Sequence, residues 1–129
     1  MSVDVFSDAM IIIKNSEFVA KRSCSITPAS KLILATCSLL RDLNYIEGFD
    51  VKENPRGGIL EVKLKGAITE CKAIKPRYSV QVSDYERFEK RYLPSKNIGY
   101  LVVSTPKGIM AHREAKKQGI GGKLMAYVY

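Results

Sequence analysis

Residues 100–129 read YLVVSTPKGIMAHREAKKQGIGGKLMAYVY. Tyr100 to Ser104 is apolar enough for a buried strand, and Thr105-Pro106-Lys107-Gly108 turns the chain. Ala111 to Gln118 accommodates two helical turns closed by Gly119, and Lys123 to Tyr129 forms a final strand. Just upstream, Ser79-Val80-Gln81-Val82 alternates as a strand and Asp84 to Tyr92 reads as a short helix. The C-terminal half is therefore expected to be mostly strand, with short helices between.

The first half is patterned differently. Val5, Phe6, Ala9, Met10 and Ile13 recur at helical intervals over Val3 to Asn15, with Ser2 as N-cap and Asp4 in the first turn. After Asn15 the pattern breaks. Ser23 to Ile26 reads as a short strand, and Thr27-Pro28 as an N-cap followed by proline at the first helical position. Leu32, Ile33, Thr36, Leu39, Leu40 and Leu43 give the second helix its core stripe, which ends at Asn44. Phe49 to Glu53 and Ile59 to Leu64 flank Asn54-Pro55-Arg56-Gly57-Gly58 as a hairpin, since Leu60, Val62 and Leu64 alternate with Glu61 and Lys63. The predicted fold class is α/β, of the α+β kind, in two small lobes: residues 1–66, a helix-strand-helix-hairpin lobe, and residues 67–129, a basic and mainly β lobe.

The totals bound what such a chain does. With 129 residues, 46% of them hydrophobic, it can bury one core or two small ones. No stretch approaches the roughly 18 to 20 apolar residues of a bilayer span, and no basic-then-apolar leader opens the chain, so a soluble, unexported protein is expected. Cys24, Cys37 and Cys71 match neither a disulfide framework nor the short paired spacing of a zinc site, and read as buried free thiols. The net charge of +8 is unevenly placed. Residues 1–64 hold eight basic and eight acidic side chains, whereas residues 65–129 hold thirteen and five. An excess confined to one lobe suits a face that binds a polyanion, although a merely solubilising surface has the same composition.

Catalytic signals are weak. The single histidine, His112, has no Cys, Asp or second His at a metal-site or general-base spacing, and reads as a surface residue. Asp84, Glu86 and Glu89 interleave with Arg87, Lys90 and Arg91 and read as mutual pairing along one helix face. Gly119-Ile120-Gly121-Gly122-Lys123 is like a phosphate-cradling loop but lacks its first glycine and its Ser or Thr. RNA chemistry accounts better for these residues. Ser104 and Thr105 carry hydroxyls suited to 2′-hydroxyls and base edges, with Lys107 beside them for phosphate. Gly121 and Gly122 would let an RNA backbone approach the main chain, or simply form a tight turn. Arg77-Tyr78, near Lys72 and Lys75, offers a guanidinium and an aromatic face, unless Tyr78 belongs to the core.

The order of these segments carries a resemblance. Ser104-Thr105-Pro106-Lys107-Gly108-Ile109-Met110, Arg113-Glu114-Ala115 and Gly119-Ile120-Gly121-Gly122-Lys123, running to an aromatic end, resemble the C-terminal signature of the small-subunit ribosomal protein eight family. Asp8-Ala9-Met10 through Lys14-Asn15, and Pro28-Ala29-Ser30-Lys31, resemble its first helix and the start of its second. Ile74-Lys75-Pro76-Arg77-Tyr78 and Leu93-Pro94-Ser95 are closer to the archaeal and eukaryotic cytosolic branch, called fifteen-a in eukaryotes.

The resemblance implies a non-enzymatic cytoplasmic constituent of the small ribosomal subunit that binds the central domain of its rRNA and helps organise the platform. Neighbouring ribosomal proteins would be its other partners, with no cofactor, metal, membrane or small-molecule substrate. By the family pattern Ser104, Thr105, Lys107 and Gly108, with Gly121 and Gly122, would meet the irregular core of an rRNA helix. Asn15, Ser30 and Lys31 would touch RNA backbone. Pro106, Arg77, Tyr78, Arg113, Lys116 and Lys117 complete the expected RNA-binding set, with Lys116 as a lone phosphate contact. The bacterial and many eukaryotic members carry serine where this chain has Pro106, so a hydroxyl and a backbone N–H are missing from that turn, and either the contact shifts to Thr105 or the local RNA geometry differs. Two other classes make different demands: a nucleotide-using enzyme around the glycine loop and His112, or a docking module using the first lobe's neutral face and the exposed aromatics Tyr127 and Tyr129.

Overall fold

A computed structural model describes residues 5–27, 29–53, 55, 58–95 and 97–129. The chain divides into two compact units, residues 1–69 and 70–129. The expectations placed on Ser2, Asp4 and Pro28, and on Asn54, Arg56 and Gly57 of the hairpin turn, lie outside the described residues.

In the first unit α1 spans Val5–Phe18, β1 Ser23–Ile26, α2 Lys31–Asp42, β2 Ile46–Lys52 and β3 Ile59–Leu64. The helix does not stop at Asn15. It runs one turn further because Ser16 is buried and extends the stripe of Phe6, Ala9, Met10 and Ile13. The second helix begins later than Thr27-Pro28 suggests: Ser30 is the N-cap, its hydroxyl accepting from the Ile33 N–H at 3.3 Å. The strands form an antiparallel sheet ordered β1-β3-β2. Val62 and Leu60 face Cys24 and Ile26 across the β1–β3 ladder, and all four are buried. On the β2–β3 ladder Asp50 stands opposite Glu61. Lys63, 3.8 Å from Asp50, and Lys52, 3.4 Å from Glu61, offset that like-charge pair diagonally.

The second unit holds β4 Cys71–Ala73, β5 Ser79–Val80, a 3-10 turn Val82–Asp84, α3 Tyr85–Tyr92, β6 Tyr100–Thr105, β7 Gly108–Ala111, α4 His112–Gln118 and β8 Gly122–Val128. Its antiparallel sheet is ordered β4-β8-β6-β7, with β5 pairing on β8. The expected strand through Val82 is cut to two residues, because Asp84 Oδ2 accepts the Gln81 N–H at 2.9 Å and bends the chain toward α3. Ile74, Val80, Phe88, Leu93, Leu101, Val103, Ala115 and Leu124 close the core around Tyr85, whose hydroxyl donates to the Ile120 carbonyl at 3.0 Å. Tyr127 and Tyr129 are half-buried rather than exposed. Their rings stack on each other, and Tyr127 stacks on Tyr92, in a row that continues to Phe88.

His112 is the plainest departure from the sequence reading. It is fully buried, not at the surface, and so is nearly all of Glu89. The β6–β7 ladder ends at Val102 and Ala111, and His112 Nδ1 accepts the Leu101 N–H at 2.9 Å. The imidazole thus takes the amide that a longer β7 would have taken. An accepting Nδ1 leaves the ring proton on Nε2, which lies 2.9 Å from Glu89 Oε1. The same oxygen takes the Lys116 ammonium, so Glu89 ties α3 to α4 instead of pairing along its own helix.

Burial, the largest influence, holds the His112 ring well below its ordinary 6.5, at about 4. The unfolded chain therefore takes up a proton near pH 6.5 that the folded protein resists until about pH 4. Stability from this site is complete above pH 6.5 and is lost as pH falls toward 4. Urea titrations at stepped pH are expected to show the unfolding midpoint dropping through that window, and His112→Gln should flatten the drop.

Candidate nucleic-acid interface

β8 enters the sheet between β5 and β6, and its first residues set the geometry around them. A Cβ on Gly121 would stand 2.3 Å from the Val80 carbonyl oxygen, and one on Gly122 would stand 2.2 Å from that of Ser104. Neither distance admits a side chain, so the protein's own strands require both glycines. The register places Ser79, Lys123, Ser104 and Ile109 directly opposite one another across β5, β8, β6 and β7. Directly opposed residues share a sheet face. A hydroxyl, an ammonium and a hydroxyl therefore cross three strands in a row of about 10 Å at ordinary strand spacing. Ser79 and Lys123 are exposed and Ser104 is half-buried, its hydroxyl without a hydrogen-bond partner among the described residues.

Thr105 follows on β6 and points to the other side of the sheet. It is buried, its hydroxyl donating to the Gly108 carbonyl at 2.8 Å and accepting from the Lys107 N–H at 3.2 Å. The two hydroxyls that stand together in the sequence are thus split: Thr105 latches the turn and Ser104 stands in the row. Pro106 and Lys107 are exposed at the turn, and Gly108 holds a φ of +118° that a side chain rarely adopts.

Tyr78 reaches the same end of the sheet, since its carbonyl accepts the Leu124 N–H at 2.9 Å. Its ring is half-buried, 5.3 Å from that of Phe88, with the Arg91 guanidinium 5.3 Å above it. Arg77 beside it is exposed. On α4, Lys117 is exposed, whereas the Lys116 ammonium is engaged by Glu89. Arg113 lies elsewhere. It donates to the Gly99 carbonyl at 3.1 Å and stacks on Tyr100 at 4.5 Å, at the start of β6 and about 13 Å of strand from Ser104.

In the first unit Asn15 is exposed on α1, and Lys31 is exposed at the first position of α2, next to the capping Ser30. Sequence reasoning left Ser79 and Lys123 out of the set. The available signal was that Lys123 is the first side chain after two glycines. Among the described residues no group of three or more His, Cys, Asp or Glu is placed to hold a metal ion, and no helix is long and apolar enough to cross a membrane. All three cysteines are buried and free, and burial pushes the Cys37 thiol up to about 12.

A family profile described as Ribosomal protein S8 matches residues 4–129. The small ribosomal subunit protein uS8 of Archaeoglobus fulgidus is 53% identical over 129 residues, covering the whole of both chains. Its namesake in Methanococcoides burtonii is 47% identical over 127 residues, 98% of each chain. The Halorubrum lacusprofundi protein of the same name is 44% identical over 126 residues, 98% of this chain and 97% of its own.

Because a Cβ at position 122 has nowhere to go but into the Ser104 carbonyl, Gly122→Ala is expected to lose about 1–3 kcal/mol of stability by urea unfolding. Lys123→Ala, at an exposed position next to it, should change stability by no more than about 0.5 kcal/mol in the same assay.

Proposed function

The chain belongs to the ribosomal protein S8 family, and on that premise we propose that it binds the central domain of small-subunit rRNA directly and helps organise the subunit platform during assembly. It is a structural constituent of the small ribosomal subunit, not an enzyme. Cytoplasmic ribosomes and neighbouring ribosomal proteins are the setting this reading gives it.

The observation that carries the proposal is the row of Ser79, Lys123 and Ser104 beside the latched turn of Thr105 to Gly108. A hydroxyl that both donates and accepts can engage a 2′-hydroxyl or a base edge, and the flanking Lys123 and Lys107 supply charge for phosphate. Such a row is short and fixed by strand pairing. It therefore suits one local shape of RNA rather than any duplex, which is how an irregular helix would be told from a regular one. Affinity comes from the cations through counterion release, and selectivity from the hydroxyls. Pro106 has neither a hydroxyl nor an N–H to offer at the turn, so recognition there falls to Ser104 and to the lysines. Gly121 and Gly122 serve by keeping Ser104 and Lys123 side by side. Asn15, Ser30 and Lys31 join the reading as backbone contacts of the first unit, and Arg77 and Lys117 as cations of the second.

A titration of the full chain against a central-domain rRNA fragment and a scrambled control, at several salt concentrations, tests this. The wild type should discriminate between the two RNAs. Ser104→Ala should weaken the central-domain complex by about 1 kcal/mol, roughly fivefold in Kd, and leave the scrambled complex unchanged. Equal loss on both RNAs would remove Ser104 from recognition, and a wild type that binds both alike would overturn the proposal.

A further inference from the structure

Residues 1–64 are neutral overall, yet their charges are segregated, and Lys65 adds one more cation to the same region. Where α1 ends and the three-stranded sheet opens, Lys21, Arg22, Lys63 and Lys65 line a shallow groove of about 660 Å³ together with Glu17, Ala20, Ser23, Glu47 and Gly66. The groove lies wholly within the first unit. Strand pairing fixes one wall, with Ser23 opposite Lys63, and the Leu64 N–H donating to the Arg22 carbonyl at 2.8 Å holds the two chain segments together.

Of the two carboxylates in the groove, Glu17 is already held. Its oxygens accept the Gly66 N–H at 3.2 Å and the Ile68 N–H at 2.9 Å, so the main chain fixes the position of this carboxylate, which keeps its charge. Lys63 makes only a loose 3.8 Å pair with Asp50, both side chains being more than half exposed. Lys21, Arg22 and Lys65 make no ion pair among the described residues and are exposed. Four cations thus face two carboxylates around the concavity, Glu47 and the backbone-held Glu17, and the lining keeps a positive excess.

We propose that this groove is a second RNA-binding site, which grips a phosphodiester backbone without reading sequence. The inference rests on the rRNA-binding reading above and extends it to a surface that the composition of the first half conceals. RNA is favoured over an acidic protein segment because the one large apolar residue of the lining, Leu64, is buried, and the exposed Phe18 and Val19, between Glu17 and Ala20 in sequence, are not part of the lining. It is favoured as backbone rather than base binding because the groove has no ring for stacking, and lysines act on phosphate as mobile point charges.

The test uses the full chain and the same central-domain fragment, with Lys21→Ala/Arg22→Ala/Lys65→Ala, single Lys65→Ala, Lys21→Arg/Lys65→Arg, and Lys52→Ala as a control outside the groove. The triple variant should flatten the plot of log affinity against log salt by about one per cation removed, and the single variant by about one, weakening central-domain and scrambled RNA alike. The arginine variant should keep the wild-type slope, as should Lys52→Ala. Thermal unfolding of each variant separates lost charge from lost fold, and the single variant decides the matter if the triple one is unstable. An unchanged slope in folded variants, while the wild type still discriminates, would overturn the groove and leave the Ser104 row standing. The same unchanged slope with failed incorporation into reconstituted subunits would overturn it in favour of a protein neighbour. A wild type that does not bind RNA would overturn the earlier reading itself.

Discussion

The second unit depends on how β8 threads between β5 and β6. Two glycines let it pass within 2.3 Å, measured from where a Cβ would stand, of the Val80 and Ser104 carbonyls. A register shift then decides what faces Ser104. Val102 pairs with Ala126, and a regular ladder would continue by setting Ser104 opposite Leu124. Instead Val103 meets Leu124 and Ser104 meets Lys123. The bulge skips one residue of β8, keeps Leu124 on the core side with Val103, and exchanges an apolar neighbour for an ammonium beside the free hydroxyl. The same irregularity that allows the core to close also builds the polar row.

The hydroxyls on either side of that row illustrate how alternation divides labour. Thr105 points into the unit and is spent on the turn, so Lys107 and Pro106 are held in place without an external partner. Ser104 points to the other side, its hydroxyl without a hydrogen-bond partner among the described residues. Behind the sheet, the Glu89, His112 and Lys116 contacts do comparable work for the helices. An imidazole finishes the β6 ladder, and a buried carboxylate joins α3 to α4. Removing one partner from so buried a cluster is costlier than the worth of any single contact within it, because the others remain out of water.

Much of the fold was legible because its signals are local. The stripe in α1, the alternation in β3, the apolar run of β6 and the glycine closing α4 each follow from a period or a punctuation mark. What escaped were features fixed by neighbours distant in sequence. Cys71–Ala73 is too short to show a period, and Gly108–Ala111 became a strand through pairing with β6. The burial of His112 could not be read from its helix, because its partners Leu101 and Glu89 come from two other elements. The candidate site was half legible for the same reason. Residue types named Ser104, Lys107 and the glycines, but only the register brings Ser79 and Lys123 beside them and leaves Arg113 at the far end of β6.

Charge counting describes the surface only in part. The second half carries the whole excess of positive charge, yet the ammonium of Lys116 answers a buried carboxylate, and the guanidiniums of Arg91 and Arg113 lie over tyrosine rings. Residues 1–64 sum to zero, yet Lys21, Arg22 and Lys63 gather with Lys65 in one concavity, where they outnumber Glu47 and the backbone-held Glu17. Net charge measures what a segment contains, whereas a polyanion responds to which charges face outward and which are already answered. That distinction is made by hydrogen bonds spanning 49 and 51 residues in one unit and 27 in the other, a range at which composition carries no information.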